Sequence, residues 1–251
     1  MACTLVVNMI NDITGQWFTS DWHFNHYHIN KQGEPRGVTL FERTQFKDDI
    51  AAHDRYIMQQ MRQWAEKHEG HVLWNLGDFG DISYLYFIEE LRYSYGVECR
   101  FLYGNHDKLS DLHAFTEAFD SVYLYSAYIH PRIIVCHEPV WPAPASTIVV
   151  HGHLHCMVLD NPQYLNANIH ICNYQPISSK RVMKVFNKLE KVEYKFLQEP
   201  YTRHLKIIQP KEDAVYDRKT GKIDYEASVR LYNKNHPDHP KQPIPKHTLS
   251  W

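Results

Sequence analysis

Residues 149–156 read VVHGHLHC and set His151, His153 and His155 at alternate positions. Four other short stretches carry groups of the same kind: Asp21 and His23 in DWH, Gly77 and Asp78 in LGDF, Asn105, His106 and Asp107 in GNHD, and His137 in HEP. Together they offer carboxylates, imidazoles and one amide, and no thiol sits inside a motif. Mixed oxygen and nitrogen donors suit Mn, Fe or Zn at a catalytic site better than a structural thiolate zinc. Asp21, His23, Asp78, Asn105, His137, His153 and His155 are too many ligands for one four- to six-coordinate ion. They suit two ions about 3.5–4 Å apart that share a carboxylate. Asp78 is expected to be the shared group.

Each stretch directly follows a run that reads as a β-strand. The predicted strands are 15–20, 71–76, 98–103, 132–136 and 146–150, with a last one over NANIHIC at 166–172. Between them the apolar period turns helical: over 46–68, where Phe46, Ile50, Ile57, Met61 and Trp64 recur at helical steps, then over 83–94 with Ser83 as N-cap, 110–119, and 178–190. Alternating strands and helices argue α/β. In open α/β sheets sites form at the carboxyl ends of strands, so five strand ends of one sheet would bring the clusters together. Asp21 and His23, like His153 and His155, stand two apart, and in extended chain such residues point the same way. Gly77, Gly104 and Gly152 stand where the backbone must turn tightly, as glycine does at little cost.

The 251 residues allow one substantial domain plus an appendage, and 43% apolar with 22% charged residues is ordinary for a globular protein. Residues 1–190 carry 15 Lys and Arg against 21 Asp and Glu, a balance of −6; residues 191–251 carry 12 against 8, or +4. The acidic body exerts no long-range pull on nucleic acid, although a groove built by the basic tail could. The domain is expected over 1–190, followed by a C-terminal extension over 191–251 that is partly extended and Pro-rich, with EYKFL as an edge strand. Five cysteines without a spacing pattern argue against a disulfide framework and for a reducing, cytoplasmic setting. No basic segment precedes the N-terminal apolar run, and no apolar stretch approaches a membrane span. No membrane partner is expected, and nothing points to an oligomeric state.

The ordered blocks Asp21-Trp22-His23, Gly77-Asp78, Gly104-Asn105-His106-Asp107, His137 and Gly152-His153-Leu154-His155 resemble the calcineurin-like metallophosphoesterases over about residues 16–190. FTSDWHFNH and LGDF look closest to small bacterial and phage-type members. The resemblance implies a four-layered αββα sandwich with two mixed β-sheets. It also implies two divalent or trivalent ions, with Mn preferred and Fe or Zn as alternatives. One would be held by Asp21, His23, Asp78 and His155, the other by Asp78, Asn105, His137 and His153. Metal-bound hydroxide would attack phosphorus in line, His106 would stabilise the transition state or protonate the leaving oxygen, and Asp107 would orient His106. The expected activity is hydrolysis of a small cyclic or nucleotide-type phosphodiester. The alternatives are a phosphomonoesterase or protein phosphatase, a nuclease, and a non-catalytic phosphate-binding module.

Some residues remain open between a role and solvated surface. His26, Arg36 and Arg43 are candidates for substrate contact, a guanidinium being suited to phosphate. His28 and His151 are expected outside the ligand set. Asp81 either bonds a ligand histidine or caps the helix that follows it, and Cys136 and Cys156 are expected to be packed side chains.

Overall fold

A computed structural model describes residues 13–26, 28–29, 35–36, 46, 49–144, 146–155, 157–189, 205–207, 215–216 and 223–224. The chain runs β1 (Gln16–Thr19), α1 (Ile50–Ala65), β2 (Val72–Asn75), α2 (Leu85–Tyr95), β3 (Glu98–Leu102), α3 (Leu112–Ala118), β4 (Ser121–Tyr123) and β5 (Ala127–His130). It continues through β6 (Ile133–Val135), β7 (Ile148–His151), β8 (Met157–Leu159), β9 (Tyr164–Asn166), β10 (Ile177–Ser178), α4 (Ser179–Leu189) and β11 (Leu205–Ile207). Two-residue ladders also pair His28–Ile29 with Pro35–Arg36, inside the stretch expected to be a loop, and Val215–Tyr216 with Ile223–Asp224.

The architecture is the expected α/β sandwich of two mixed sheets with helices. The first sheet has the order β10-β1-β2-β3-β4, parallel except for β10; the second has β9-β7-β6-β5, parallel except for β5. Strand residues alternate between two cores, as the pleat dictates. Phe18, Trp74 and Leu102 of the first sheet meet Ile133, Val135, Ile148 and Val150 of the second, and Val182, Phe186 and Leu189 of α4 join them. Leu73, Cys99 and Phe101 face the other way, onto α1, α2 and α3. The far face of the second sheet packs Ile134, Cys136 and Val149 against Ala143, Leu154, Leu159 and Tyr164.

Local chemistry moves several boundaries. α1 starts only where the Asp49 side chain accepts the Ala52 amide at 2.7 Å. Asp81, not Ser83, caps the turn leading into α2, accepting the Ser83 amide at 2.8 Å. NANIHIC is not a strand beyond Asn166. Asn166 and Asn168 each accept the amide two residues on, at 2.9 Å, so side chains take the hydrogen bonds a ladder would need. The short strands β4, β5, β8 and β10 had no sequence signal. β8 pairs antiparallel with β11, which lies in the C-terminal segment. The EYKFL stretch and the Pro-rich tail lie outside the described residues. Among the described residues no helix is long and apolar enough to cross a membrane.

Candidate metal centre

Five loops leave the carboxyl ends of parallel strands: 20–24, 76–79 and 103–107 from the first sheet, 136–137 and 152–155 from the second. The strand ends belong to both sheets, not to one, and face-to-face packing is what joins them. Amides of Asp21 and His23 donate to the carbonyls of Gly77 and Asp78 at 2.9 Å, which lays the first two loops side by side. The two sheets are tied by His137 Nδ1–H donating to Leu76 O at 2.8 Å and by the His153 amide donating to the Asp21 carboxylate at 3.1 Å.

The ligand loops are not extended. Asp21, His23, Asp78, His153 and His155 have φ of 58°, 47°, 55°, 66° and 48°, the left-handed region that costs L-residues about 1–3 kcal/mol each. In DWH and HLH these residues flank Trp22 and Leu154, which are buried in the core. The pairs therefore reach one place through strained turns around an apolar anchor, not through the alternation of a strand. Of the three motif glycines only Gly77 has positive φ, at 98°. Gly104 and Gly152 are needed for space: a Cβ would lie 2.3 Å from Asp78 Oδ1 at the first and 2.6 Å from Asp21 Oδ2 at the second.

The floor is buried and the rim is open. Asp21, His23, Asp78 and His137 are at most 4% exposed, His153 and His155 are half-buried, and Asn105 and His106 are exposed. Asp78 Oδ2 lies 3.4 Å from His23 Nε2 and 3.3 Å from His137 Nε2, and this buried oxygen accepts no hydrogen bond. His137 Nε2 and His153 Nδ1 each lie 2.9 Å from Asn105 Oδ1. His137 gives its Nδ1 proton to Leu76, so in the neutral ring Nε2 presents an electron pair to two oxygens. Such a convergence requires a proton or a cation.

The ionisation follows from this crowding. Burial alone would push Asp78 up, but the close approach and charge of His137 and the amide of His106 hold it below the ordinary carboxylate value. Burial alone would lower His137; the close approach of Asp78 and the charges of Asp21 and Asp78 raise it to about 9. His153 is lowered, by burial first and then by the charge of His137.

The donor set fits metal ions. Asp21, His23 and His155 form one group of ligand atoms within 4.8 Å of one another, and Asp21, Asp78 and His137 form a second. Asp21 is common to both groups, while Asp78 Oδ2 stands between His23 and His137. Two carboxylates, not one, therefore lie at the centre of the arrangement.

His106 donates its amide to Asp78 Oδ1 at 2.9 Å, and its ring stands 5.3 Å from those of His23 and His26. Asp107 does not orient that ring. Its carboxylate accepts the amides of Asp78, Phe79 and Gly104 at 2.7–2.9 Å, so it fixes the two turns against each other. Half-buried His26 lines the His23 side, its ring 4.9 Å from that of His23. Of Arg36 only the backbone pairing with His28 is described, and Arg43 and Cys156 lie outside the described residues. His151 is buried outside the cluster, pushed down to about 4 chiefly by burial, with Nδ1 against Gly152 O at 2.8 Å. Asp81 bonds the Asn25 amide group at 2.7 Å in addition to capping. The sequence reading missed Ser20, whose hydroxyl donates to Asp21 Oδ2. A lone serine before a motif carries no pattern that marks it.

No family model matches the chain, and no curated protein matches it. Among solved structures it is similar to the Pseudomonas putida nuclease MPE, with 18% identity and a TM-score of 0.36 over 56% of this chain and 61% of that one. A likeness of that size assigns no activity, and the functional reading rests on the residues.

Proposed function

We propose that the chain is a metal-dependent phosphoester hydrolase with two ions, acting on a small cyclic or nucleotide-type phosphodiester. The observation that carries the reading is the buried Asp78 Oδ2. It accepts no hydrogen bond and is flanked at 3.3 and 3.4 Å by imidazole nitrogens of two different loops. Asp21, His23, His155 and Asp78 would hold one ion; Asp78, Asn105, His137 and His153 the other, with Asp21 near both. Bound there, the ions would neutralise phosphate oxygens and make hydroxide available near neutral pH.

The chain's own residues supply the rest. The Leu76 carbonyl fixes the His137 tautomer so that Nε2 faces the centre, the usual outer-shell arrangement of a ligand histidine. Asp107 locks the Asp78 and Gly104 turns together, and Ser20 and the His153 amide orient the Asp21 carboxylate. His106 is exposed beside the cluster, where its imidazole can meet a phosphate oxygen or give a proton to the departing alkoxide. A diester fits an exposed rim over a buried floor, in a body whose net charge of −6 gives no long-range attraction to a polyanion.

The test compares bis-p-nitrophenyl phosphate with p-nitrophenyl phosphate on Mn-loaded protein, with His106→Ala alongside. Diester turnover that is lost in the variant is expected. Turnover of the monoester alone would reassign the substrate class. Turnover of neither at full metal occupancy would end the hydrolase reading for these esters.

A further inference from the structure

Beneath the first ligand loop four buried polar side chains form a continuous chain: Asp54, His53, His170 and Asn168, each at most 1% exposed. His53 and Asp54 sit on the buried face of α1, and Asn168 and His170 in the turn after β9. Asp54 Oδ1 meets His53 Nδ1 at 2.9 Å, His53 Nε2 meets His170 Nε2 at 2.9 Å, and His170 Nδ1 meets Asn168 Oδ1 at 3.1 Å. The last atom is the amide oxygen, because the His170 backbone N–H donates to it at 2.9 Å.

The protons can be counted. Both outer contacts set a ring nitrogen against an oxygen acceptor, so both Nδ1 atoms carry hydrogen. The central contact joins two ring nitrogens and needs one hydrogen more. Two neutral imidazoles hold two ring protons between them, which would leave one contact as electron pair against electron pair. Three protons satisfy every contact and give the pair one positive charge, neutralised by Asp54. Among the described residues the Tyr84 hydroxyl, which also bonds Asp54, and the rings of Phe46 and Tyr174 face it as well.

The two ends of this chain hold the two ends of the ligand turn. Asp54 Oδ2 accepts the Asn25 amide at 2.8 Å. Asn168 bridges to Ser20, and the Ile169 amide donates to Ser20 O at 3.1 Å. Between these anchors Asp21, His23 and Asn25 all have positive φ, at 58°, 47° and 50°. Strained backbone of this kind persists only where its surroundings over-determine it.

We infer that the singly protonated His53–His170 pair is a positioning device that clamps residues 20–25 at both ends and holds Asp21 and His23 in ligating posture. The inference rests on the metal-centre reading. It concerns positioning residues, since the pair acts through the Asp54–Asn25 and Asn168–Ser20 anchors.

The experiment uses the full chain. Long-range 1H–15N NMR of the metal-free wild type counts ring protons, and Mn titration followed by the EPR signal of free Mn compares wild type with His53→Gln, His170→Asn and Asp78→Asn. Both Nδ1 atoms protonated, plus one slowly exchanging proton between the Nε2 atoms, are expected. Mn affinity should fall about tenfold or more in the two histidine variants, the scale of outer-shell losses, at a temperature where circular dichroism shows them folded. A purely structural pair would lower the melting temperature and leave the Mn affinity of the folded protein alone, and that result overturns the inference. Two ring protons in place of three overturn it as well, without recourse to any variant. Wild type binding Mn no better than Asp78→Asn would instead bring down the metal reading, and the positioning role with it, whatever the proton count.

Discussion

The molecule holds two buried assemblies of imidazole and carboxylate, and they differ in one respect. In the His53–His170 chain every contact joins a donor to an acceptor once three ring protons are allowed. Around Asp78 the ring nitrogens crowd onto shared oxygens instead: His137 Nε2 and His153 Nδ1 on Asn105 Oδ1, and two imidazoles on either side of a carboxylate oxygen that accepts no hydrogen bond. The floor of the second, His23, Asp78 and His137, is as buried as the first, so burial alone does not separate a candidate ligand from a structural histidine. The balance of donors and acceptors does. One assembly is complete with protons, and the other, on the function proposed above, would be completed by cations. Unpaired buried polar groups carry a large desolvation cost, which is why the second arrangement persists only for a purpose.

The comparison breaks first at Asp78→Asn. An amide there removes the negative charge from between His23 and His137, so hydrolysis should fall at least about 100-fold, the upper end of outer-shell losses, because a direct ligand is altered. Calorimetry offers an independent check. Mn at a hundred times its dissociation constant should stabilise the wild type by about 2.7 kcal/mol and the variant by nothing measurable. Equal stabilisation of the two would place the ions elsewhere.

His106→Ala comes next. It should cost about 100- to 10,000-fold in turnover while Mn stoichiometry stays at the wild-type value, because what ties His106 to Asp78 is its backbone amide, which the substitution keeps. Metal analysis beside turnover reads this out; loss of metal would make His106 a ligand or a support. Gly152→Ala is a steric test of the same boundary. A Cβ 2.6 Å from Asp21 Oδ2 and from Ser20 Oγ overpacks the site, at about 1–3 kcal/mol. The loss should appear in Mn affinity as well as in the melting temperature, whereas a purely architectural glycine would show the second alone.

These variants probe what the sequence made visible. The clusters that the structure brings together were legible because glycines and charged residues interrupt short β-runs at each strand end, and strand ends are where α/β sheets build sites. The geometry that aims them was not legible. Nothing in DWH or HLH announces left-handed backbone at each ligand, and alternation suggested extended chain instead. The His53–His170 pair was not singled out in the sequence. His53 falls on the apolar stripe of α1, between Ile50 and Ile57, where a buried histidine demands partners. Its partner His170 was hidden in a segment whose apolar residues read as a strand. There the Asn166 and Asn168 side chains outcompete the ladder for amides, a local effect that pattern reading does not weigh.

His151 sharpens the comparison at its quiet end. It stands on β7, two residues before a ligand in the same HGHLH run, and by spacing alone it is as good a ligand as His153. The structure treats it as neither kind of histidine. It is fully buried and pushed down to about 4 mainly by burial, so the ring is neutral near pH 7, and its Nε2 makes no hydrogen bond. Its one bond, to Gly152 O, is dispensable to that carbonyl, which also accepts the Leu154 amide at 2.7 Å. His151→Leu should therefore keep both Mn equivalents and wild-type turnover, and shift stability by only about 1 kcal/mol, the net worth of one neutral hydrogen bond. Denaturant melts with and without Mn give the two numbers in one experiment. Loss of an Mn equivalent would mean that proximity in the run matters more than convergence on a shared oxygen, as at Asp78 and Asn105, and the rule drawn from the two assemblies would fail where it is simplest to apply.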